Sequence, residues 1–329
     1  MNRQEMLHAL TEVKEWDIII VGGGATGIGA ALDAATRGYK TLLIEQSDFG
    51  KGTSSRSTKL VHGGVRYLAQ GNIKLVREAL LERGRLLKNA PHITSAMGFV
   101  VPVYNWGSKL YYGAGLKMYD VLSGKLSLGK TLLLSKKETI ERLPGIDTFK
   151  LSGGILYYDG RFDDARLAID MAVTAATQGA AIINYCKALS VIKENKKVKG
   201  LVVKEIISGN EYEVKGKVIV NATGVFVNHL MQNDEPDIKN IVTPSQGIHL
   251  VVDKKFFPGS NAMMIPKTDD GRVLFAVPWH NKVVLGTTDT EVNDISEEPR
   301  PLKEEIDFVL HHANRYLAAN FAETDVTSM

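Results

Sequence analysis

Residues 17–45 read DIIIVGGGATGIGAALDAATRGYKTLLIE, and this stretch decides the fold. Residues 18–21 predict a buried parallel strand, because all four are β-branched and the run ends abruptly in glycine. Residues 27–37 are rich in alanine and predict a helix that ends before Gly38, and residues 40–45 predict a second buried strand. Strand, glycine turn, helix and strand in this order predict an α/β protein with a Rossmann-like domain.

The glycines of this turn have the G-x-G-x-x-G spacing of a dinucleotide-binding site. Gly22 permits the tight turn, Gly24 lets a pyrophosphate approach the backbone, and Gly27 lets helix and strand pack closely. Ala25 and Thr26 belong to the same predicted site, because unpaired N–H groups at the helix N-terminus face the phosphates. A lone glycine motif is a weak signal, but here the strand, helix and second strand follow in order.

The residues after the glycine motif help to decide which dinucleotide binds. Glu45 ends the second strand, where its carboxylate can accept hydrogen bonds from an adenosine ribose, and Gln46 follows it in the predicted site. The motif alone does not separate FAD from NAD. A nicotinamide domain normally continues with further strand–helix crossovers, whereas this chain continues with a Ser/Thr-rich loop, a long interruption and a meander. A strand ending in Ala222-Thr223-Gly224 would let the backbone run close to a bound dinucleotide, although an ordinary turn is the alternative.

Composition limits the functions that this chain can have. Its 329 residues are enough for two domains, and its net charge of +3 is too small to indicate a nucleic-acid-binding surface. The single cysteine, Cys186, cannot form an internal disulfide, and no Cys/His cluster has metal-ligand spacing. The N-terminus lacks the apolar core of a signal peptide, and no apolar run approaches the ~20 residues that span a bilayer. We therefore expect a cytoplasmic protein without a metal ion or a nucleic-acid partner.

Several further motifs complete a recognisable pattern. They are Thr53-Ser54-Ser55, Ser57-Thr58-Lys59-Leu60-Val61-His62-Gly63-Gly64-Val65-Arg66-Tyr67, Asn221-Ala222-Thr223-Gly224, Val277-Pro278-Trp279 and Gly286-Thr287-Thr288-Asp289. With the glycine motif and Glu45, they resemble the FAD-dependent glycerol-3-phosphate dehydrogenases over nearly the whole chain. The serine-rich loop leading into His-Gly-Gly-x-Arg-Tyr distinguishes this family from the amino-acid and sarcosine oxidases that share its fold.

The resemblance implies a fold and a reaction. The fold is an FAD-binding domain of the glutathione-reductase or D-amino-acid-oxidase type, assembled from separate segments, with a substrate-capping domain built on an antiparallel sheet. We expect these parts at 1–100 (FAD-binding, first segment), 101–150 (insertion or capping segment), 151–235 (FAD-binding, second segment) and 236–329 (capping domain). The implied reaction oxidises sn-glycerol 3-phosphate to dihydroxyacetone phosphate. A hydride passes from C2 to flavin N5, and the electrons pass to quinone, or to dioxygen in the related oxidases.

Four residues are the candidates for contact with the substrate. Oxidation of a secondary alcohol requires a base, and histidine titrates near neutral pH. His249 matches the family position that points into the substrate site, so we favour it, with His62 as its nearest rival. Arg66 is the best candidate for the substrate phosphate, because its guanidinium fits phosphate oxygens, and Tyr67 beside it is placed to hydrogen-bond a substrate oxygen. Without the resemblance, each would be read as a structural or surface residue.

The remaining predicted cofactor contacts lie in the polar loop and at one later position. They are Thr53, Ser54, Ser55, Thr58, Lys59, Leu60, His62, Gly63, Gly64 and Ala188. The alternative for the loop is a solvated polar segment, which is usual for such a composition.

Residues 107–130 raise the question of a membrane surface. Four lysines and three tyrosines, including Tyr119, are set there against one acid, Asp120. Tyrosine and lysine together suit a membrane interface, and a solvated loop is the alternative. A quinone-reducing enzyme must reach a membrane-dissolved acceptor, so we expect a peripheral protein on the inner face of the cytoplasmic membrane. A homodimer is left open.

The chain also departs from the family pattern. Family members continue into a Ser-Gly-x-Arg-Pro segment and a Gly-Gly-Lys segment, and neither is present here. We therefore expect that part of the flavin and phosphate pockets is missing. A catalytically incomplete FAD-binding fragment is the alternative function.

Overall fold

The computed structural model describes residues 1–329, which form nine helices and seventeen strands. The helices are α1 (Arg3–Glu12), α2 (Ala25–Thr36), α3 (Val65–Ala69), α4 (Ile73–Asn89), α5 (Trp106–Ser123), α6 (Lys136–Arg142), α7 (Asp164–Thr177), α8 (Val227–Asp234) and α9 (Lys303–Tyr316). The strands are β1 (Trp16–Val21), β2 (Thr41–Ile44), β3 (Leu60–Val61), β4 (Thr94–Val103), β5 (Leu132–Leu134), β6 (Gly153–Phe162), β7 (Ala181–Ile183), β8 (Cys186–Glu194), β9 (Lys197–Glu205), β10 (Glu211–Asn221), β11 (Ser245–Gln246), β12 (His249–Asp253), β13 (Ala262–Ile265), β14 (Leu274–Trp279), β15 (Lys282–Gly286), β16 (Thr290–Glu291) and β17 (Val326–Ser328).

The chain divides into two compact units, each built from separate segments. The first unit comprises Met1–Ser57, Asp164–Pro244 and Val292–Glu298. The second unit comprises Thr58–Asp163, Ser245–Glu291 and Pro299–Met329.

The first unit is built on a six-stranded sheet in the order β7-β2-β1-β10-β9-β8. The strands β7, β2, β1 and β10 are parallel, as expected of a doubly wound α/β sheet, and β9 and β8 extend it antiparallel. The predicted strand–helix–strand unit is confirmed as β1, α2 and β2. The helix begins at Ala25, slightly earlier than predicted, because Gly24 already serves as its extended N-cap.

Strand β10 combines the last strand of the predicted meander with the predicted strand that ends before Ala222-Thr223-Gly224. Residues 211–215 pair antiparallel with β9, and residues 216–221 pair parallel with β1. The predicted meander is therefore confirmed, and its last strand continues without a turn into the parallel sheet. Small residues let the helices lie close to this sheet, since Ala31 of α2 and Ala168 and Ala172 of α7 are buried together.

The second unit is built on a nine-stranded sheet. Its main path runs β17-β12-β15-β14-β13-β4-β6-β3, and β5 also pairs with β6. All neighbours are antiparallel except β13 and β4. Alternate residues of β4 face opposite sides, so that Val100 joins the core with α9 while Phe99 and Val101 join the core with α4 and α5.

The boundaries of the two units differ from the domain boundaries expected from the sequence. Residues 58–100 and the strand β6 were expected in the FAD-binding segments, yet they belong to the second unit. The reason is pairing, because β4 and β6 are hydrogen-bonded along their whole length and β13 then pairs with β4. Apolar runs such as 94–103 do not indicate which sheet will receive them.

Residues 106–123 form a helix, so most of the segment for which a solvated loop was the alternative is helical. Asn105 caps the helix α5 by accepting a hydrogen bond from the Ser108 N–H at 2.8 Å. The glycines suggested a loop, but Gly113 is buried in the helix, where an added Cβ would lie 2.9 Å from Leu133. No helix of the structure combines the length and apolar character needed to cross a membrane.

Candidate functional site

The glycine turn of the first unit leaves no space for side chains. Gly22 has a φ of +116°, and a Cβ there would lie 2.3 Å from the carbonyl oxygen of Ala222. A Cβ on Gly27 would lie 1.9 Å from the carbonyl oxygen of Gly22. The turn, the start of α2 and the end of β10 are therefore in backbone contact, as close approach to a pyrophosphate requires.

Glu45 lies at the end of β2, directly beside this turn. Its two carboxylate oxygens accept hydrogen bonds from the Gly23 N–H at 2.6 Å and the Ser47 N–H at 2.7 Å. Each oxygen keeps a second lone pair, so the carboxylate can still accept from hydroxyl groups. The neighbouring Gln46 instead donates its side-chain amide to Glu297 at 3.0 Å.

The serine loop reaches the N-terminus of α2. Residues 53–55 form a short 3₁₀ helix, and the Ser54 Oγ accepts a hydrogen bond from the Ala25 N–H at 2.8 Å. Thr26, on the next position of α2, is exposed. Ser54 therefore lies beside the helix start, where the helix dipole favours a phosphate, and its contact with the cofactor stays a prediction.

The end of β10 meets the same turn. The Ala222 N–H donates to the Val21 carbonyl at 2.8 Å, and Thr223 binds Asn221 through its own hydroxyl at 2.7 Å. Gly224 follows with a φ of +59°. Ala188, which the sequence also assigned to the cofactor, packs with the core on the other face of this sheet, and its cofactor contact stays a prediction.

In the second unit, residues 58–64 form a strained loop around the short strand β3. Lys59 has a φ of +62°, and its carbonyl accepts from the Phe162 N–H at 3.0 Å. Leu60 pairs with Arg161, and Gly64 has a φ of +69°. These contacts fix the course of the backbone between Thr58 and the His-Gly-Gly motif.

His249 is joined to this loop. Its Nε2 lies 2.8 Å from the Oγ1 of Thr58. A hydroxyl can donate to a neutral imidazole or accept from a protonated one, so this partner suits both states of a base. The start of β12 is held in turn, because the Ile248 N–H donates to Thr288, whose hydroxyl donates to the buried Glu305.

His62 is placed differently. The Gly64 N–H donates to its Nδ1 at 3.0 Å, so Nδ1 carries no proton. In the neutral ring the proton is then on Nε2, which makes His62 a hydrogen-bond donor at that atom. This geometry favours His249 over His62 as the base.

Arg66 and Tyr67 lie at the start of α3. The guanidinium of Arg66 lies 4.8 Å from the centre of the Tyr67 ring and donates to its hydroxyl at 2.9 Å. Arg66 is exposed, and no carboxylate is within ion-pair distance of it. Its charge is therefore available for an anion.

Sequence reasoning missed a buried polar group next to the His-Gly-Gly motif. The Tyr119 hydroxyl accepts from the Gly63 N–H at 2.6 Å and donates to Asp159 at 2.7 Å. Arg83 binds the same carboxylate at 2.7 Å. Burial raises the pKa of Asp159, and the Arg83 guanidinium opposes that rise. A signal was present, because Arg83 shares the helical spacing of Val76 and Leu80 and so falls on the buried face of α4.

Known proteins are similar to this chain in sequence and in fold. The family model described as FAD dependent oxidoreductase matches residues 17–328. The mitochondrial glycerol-3-phosphate dehydrogenase of Homo sapiens is 42% identical over 332 residues, which cover 97% of this chain and 46% of that protein. The chain thus spans about half the length of the curated relatives it matches.

Two solved structures are also similar. The glycerol-3-phosphate dehydrogenase from Bacillus halodurans, complexed with FAD, has a TM-score of 0.81 and 34% identity, covering 99% of this chain and 58% of that one. The L-alpha-glycerophosphate oxidase from Mycoplasma pneumoniae has a TM-score of 0.73 and 15% identity, covering 96% of this chain and 82% of that one. At that identity the second likeness shows a shared fold alone.

Proposed function

Because the chain belongs to the FAD-dependent oxidoreductase family, we propose that it oxidises sn-glycerol 3-phosphate to dihydroxyacetone phosphate. The observation that carries the proposal is the contact of 2.8 Å between His249 Nε2 and Thr58 Oγ1, in the unit that also presents the unpaired guanidinium of Arg66. A base and an anion-binding cation are the two groups that this substrate needs. The named relatives, which are glycerol-3-phosphate dehydrogenases, support the choice of substrate.

The first unit fits FAD as its cofactor. Gly22 and Gly27 form a turn that any Cβ would block, α2 begins directly after this turn at Ala25, and the Glu45 carboxylate keeps free lone pairs. The glycine turn and the start of α2 would hold the pyrophosphate, and Glu45 would hold the adenosine ribose. When bound, FAD supplies the acceptor for a hydride.

In the proposed reaction His249 takes the hydroxyl proton as the C2 hydride departs. The proton goes to an imidazole nitrogen, and the Thr58 hydroxyl stabilises the ring in both states. Arg66 binds the substrate phosphate, and Tyr67 orients the guanidinium through its hydroxyl and its ring. His62 contributes a hydrogen-bond donor through Nε2.

Anaerobic reduction tests the substrate assignment. FAD-loaded protein should lose its visible flavin absorption on addition of sn-glycerol 3-phosphate, and His249→Gln should slow this loss at least about a hundredfold, as expected for a general base. His229→Gln is the matched control, because His229 is exposed on α8 of the other unit. No loss of absorption with FAD verifiably bound would contradict the substrate assignment.

The acceptor of the electrons is proposed to be a quinone. The alternative is dioxygen, the acceptor that the family resemblance implies for the related oxidases. Release of peroxide in proportion to the substrate oxidised in air would favour dioxygen. Rapid turnover with a soluble quinone analogue, without peroxide, would favour quinone.

A specific surface supports the further proposal that the protein contacts a membrane. Helix α5 turns an apolar face outward, with Trp106, Tyr111 and Val121 exposed to 72%, 64% and 78%. Leu132 and Leu133 of β5 are also exposed. An outward apolar face of this kind is uncommon on a protein surface and typifies interfacial helices.

Charge on the same segment favours an anionic lipid surface. Lys117, Lys125 and Lys130 are exposed and lack acidic partners, and the one acid, Asp120, accepts a hydrogen bond from the Thr131 N–H. The three tyrosines do not share this surface, since Tyr119 points into the core and is 0% exposed. That position corrects the expectation that all three lie at the interface.

Vesicle flotation tests this surface. The protein should float with vesicles that contain phosphatidylglycerol and not with pure phosphatidylcholine, and Trp106→Ser with Val121→Ser should abolish flotation. Ile207→Ser is the control, because Ile207 is 70% exposed on a turn of the other unit. Equal flotation of all variants would contradict the assignment of α5.

A further inference from the structure

The buried group of Tyr119, Asp159 and Arg83 has no role in the proposed reaction. We propose that Tyr119 is a positioning residue, whose hydroxyl fixes the peptide of Gly63 and through it the ring of His62. Asp159 and Arg83 hold that hydroxyl in place. The functional meaning of this device rests on the proposed function, whereas its geometry can be tested without any turnover.

The direction of every hydrogen bond in this group is determined. The Gly63 N–H can only donate, so the Tyr119 oxygen accepts from it at 2.6 Å. The single hydroxyl proton must therefore point to Asp159, whose Oδ2 lies 2.7 Å away. The other oxygen of Asp159 accepts from Arg83 at 2.7 Å. A guanidinium, a carboxylate and a phenol thus form one chain that ends on a backbone amide.

The three side chains of this hydrogen-bonded group are almost completely buried. Tyr119, Asp159 and Arg83 are exposed to 0%, 2% and 1%. Buried ion pairs of this kind are often no more stabilising than apolar residues of similar volume. The hydrogen bond that this group accepts from the Gly63 amide gives it a role in the geometry of the adjacent loop.

The loop is also shaped to receive the phenol. A Cβ on Gly63 would lie 2.5 Å from the Tyr119 oxygen and 2.4 Å from Leu80, so only glycine permits the contact. Tyr119 itself comes from α5, which packs on the same face of the sheet as α4. The position of the Gly63 peptide is therefore set by two helices and by the strand that carries Asp159.

The Gly63 peptide is connected to the ring of His62 through the peptide that follows it. The Gly64 N–H, one residue further on, donates to His62 Nδ1 at 3.0 Å. This N–H belongs to the peptide that follows Gly63, so its direction towards the ring depends on how Gly63 is held. Loss of the Tyr119 hydroxyl should release this bond and let the neutral imidazole exchange its proton between Nδ1 and Nε2.

Tyr119→Phe tests the inference, because it removes one oxygen and keeps the ring. Tyr157→Phe is the matched control, since Tyr157 is 1% exposed in the same core and its hydroxyl contacts Met264 rather than the loop. Hydrogen exchange of the Gly63 and Gly64 amides and the ¹⁵N shifts of His62 are measured in the wild type and both variants. We expect exchange at both glycines to rise roughly tenfold to a hundredfold in Tyr119→Phe alone, as for loss of an acceptor to a buried donor. The His62 shifts should change from a single Nε2–H tautomer to an average of two.

Two results would overturn the inference. The first is unchanged exchange and unchanged His62 shifts in a folded Tyr119→Phe protein. The second applies even if that variant does not fold, because in the wild type the Gly63 amide must be strongly protected and His62 must be the Nε2–H tautomer. An unprotected Gly63 or an Nδ1–H tautomer in the wild type refutes the geometry.

The same variants separate this inference from the proposed function. If wild-type protein reduces its flavin with sn-glycerol 3-phosphate, Tyr119→Phe should lower the maximal rate of reduction more than the apparent substrate affinity, and Tyr157→Phe should alter neither. If the wild type fails to reduce its flavin, the substrate proposal fails, while the exchange and ¹⁵N measurements still decide whether Tyr119 positions the loop.

Discussion

Replacement of Gly27 by alanine should be far more damaging than replacement of Gly29, although both add one methyl group to the same helix. At Gly27 the new Cβ would lie 1.9 Å from the Gly22 carbonyl oxygen. That atom is backbone, so the turn and the helix must separate by about 1 Å before the methyl group fits. At Gly29 the nearest atom is the terminal methyl of Met171 at 3.5 Å, which is an ordinary contact.

The two free energies follow from these distances. Overpacking against fixed atoms costs about 3 kcal/mol or more, so Gly27→Ala should remove a large part of the stability of a typical domain. Gly29→Ala should gain up to about 1 kcal/mol, because alanine is the better helix former. The two variants should therefore differ by about 4 kcal/mol in the free energy of unfolding.

Urea unfolding, followed by circular dichroism, measures this difference. FAD titration of the same samples, followed by quenching of flavin fluorescence, should show binding by Gly29→Ala and none by Gly27→Ala. If Gly27→Ala unfolds within about 1 kcal/mol of the wild type and binds FAD equally well, the close approach of turn and helix is not what the site requires.

Three further predictions concern single side chains. Arg66→Ala should weaken the binding of glycerol 3-phosphate by about 1.5–3 kcal/mol, and Arg66→Lys should recover only part of it, as measured by the substrate concentration that half-reduces the flavin. Thr58→Val keeps the volume but removes the hydroxyl that binds His249 in both protonation states, so the maximal rate of flavin reduction should fall roughly tenfold, as for the loss of one hydrogen bond, and an unchanged rate would exclude the contact from the reaction. Burial alone would raise the pKa of Glu205, but hydrogen bonds from Ser208 and Arg3 lower it to about 2. The resulting stabilisation, about 3 kcal/mol at most, is present above about pH 4.5 and is lost as the pH falls towards 2, so the deficit of Glu205→Gln in urea should shrink between pH 7 and pH 3.5.

The sequence predicted the parts of the fold whose patterns are local. Periodicity and glycine spacing indicated β1, α2 and β2, and the polar turns indicated the meander of β8, β9 and β10. The sequence did not predict that β10 is one continuous strand, because no local pattern distinguishes two short strands from one strand that changes partners. The sequence also did not predict that β4 and β6 belong to the second unit, because the two strands pair with each other although they lie far apart in the sequence.

The candidate site shows a similar division. The contact of Ser54 with the start of α2 follows from a motif whose chemistry is local. The roles of the two histidines could not be ranked by sequence without a family resemblance, because the tautomer of His62 depends on a hydrogen bond from the Gly64 N–H that forms only in the folded loop. Tyr119 was grouped with exposed tyrosines because three of them share one segment, and only the packing of α5 separates the buried one.

Binding of FAD to the glycine turn is the claim on which the rest of the account depends. The most direct measurement is a fluorescence titration of FAD into the purified chain, with NAD as competitor and Gly27→Ala as the negative control. We expect saturable quenching at one FAD per chain, insensitive to NAD and absent in the variant. A folded wild-type chain that does not quench flavin fluorescence, or that exchanges FAD for NAD, would contradict it.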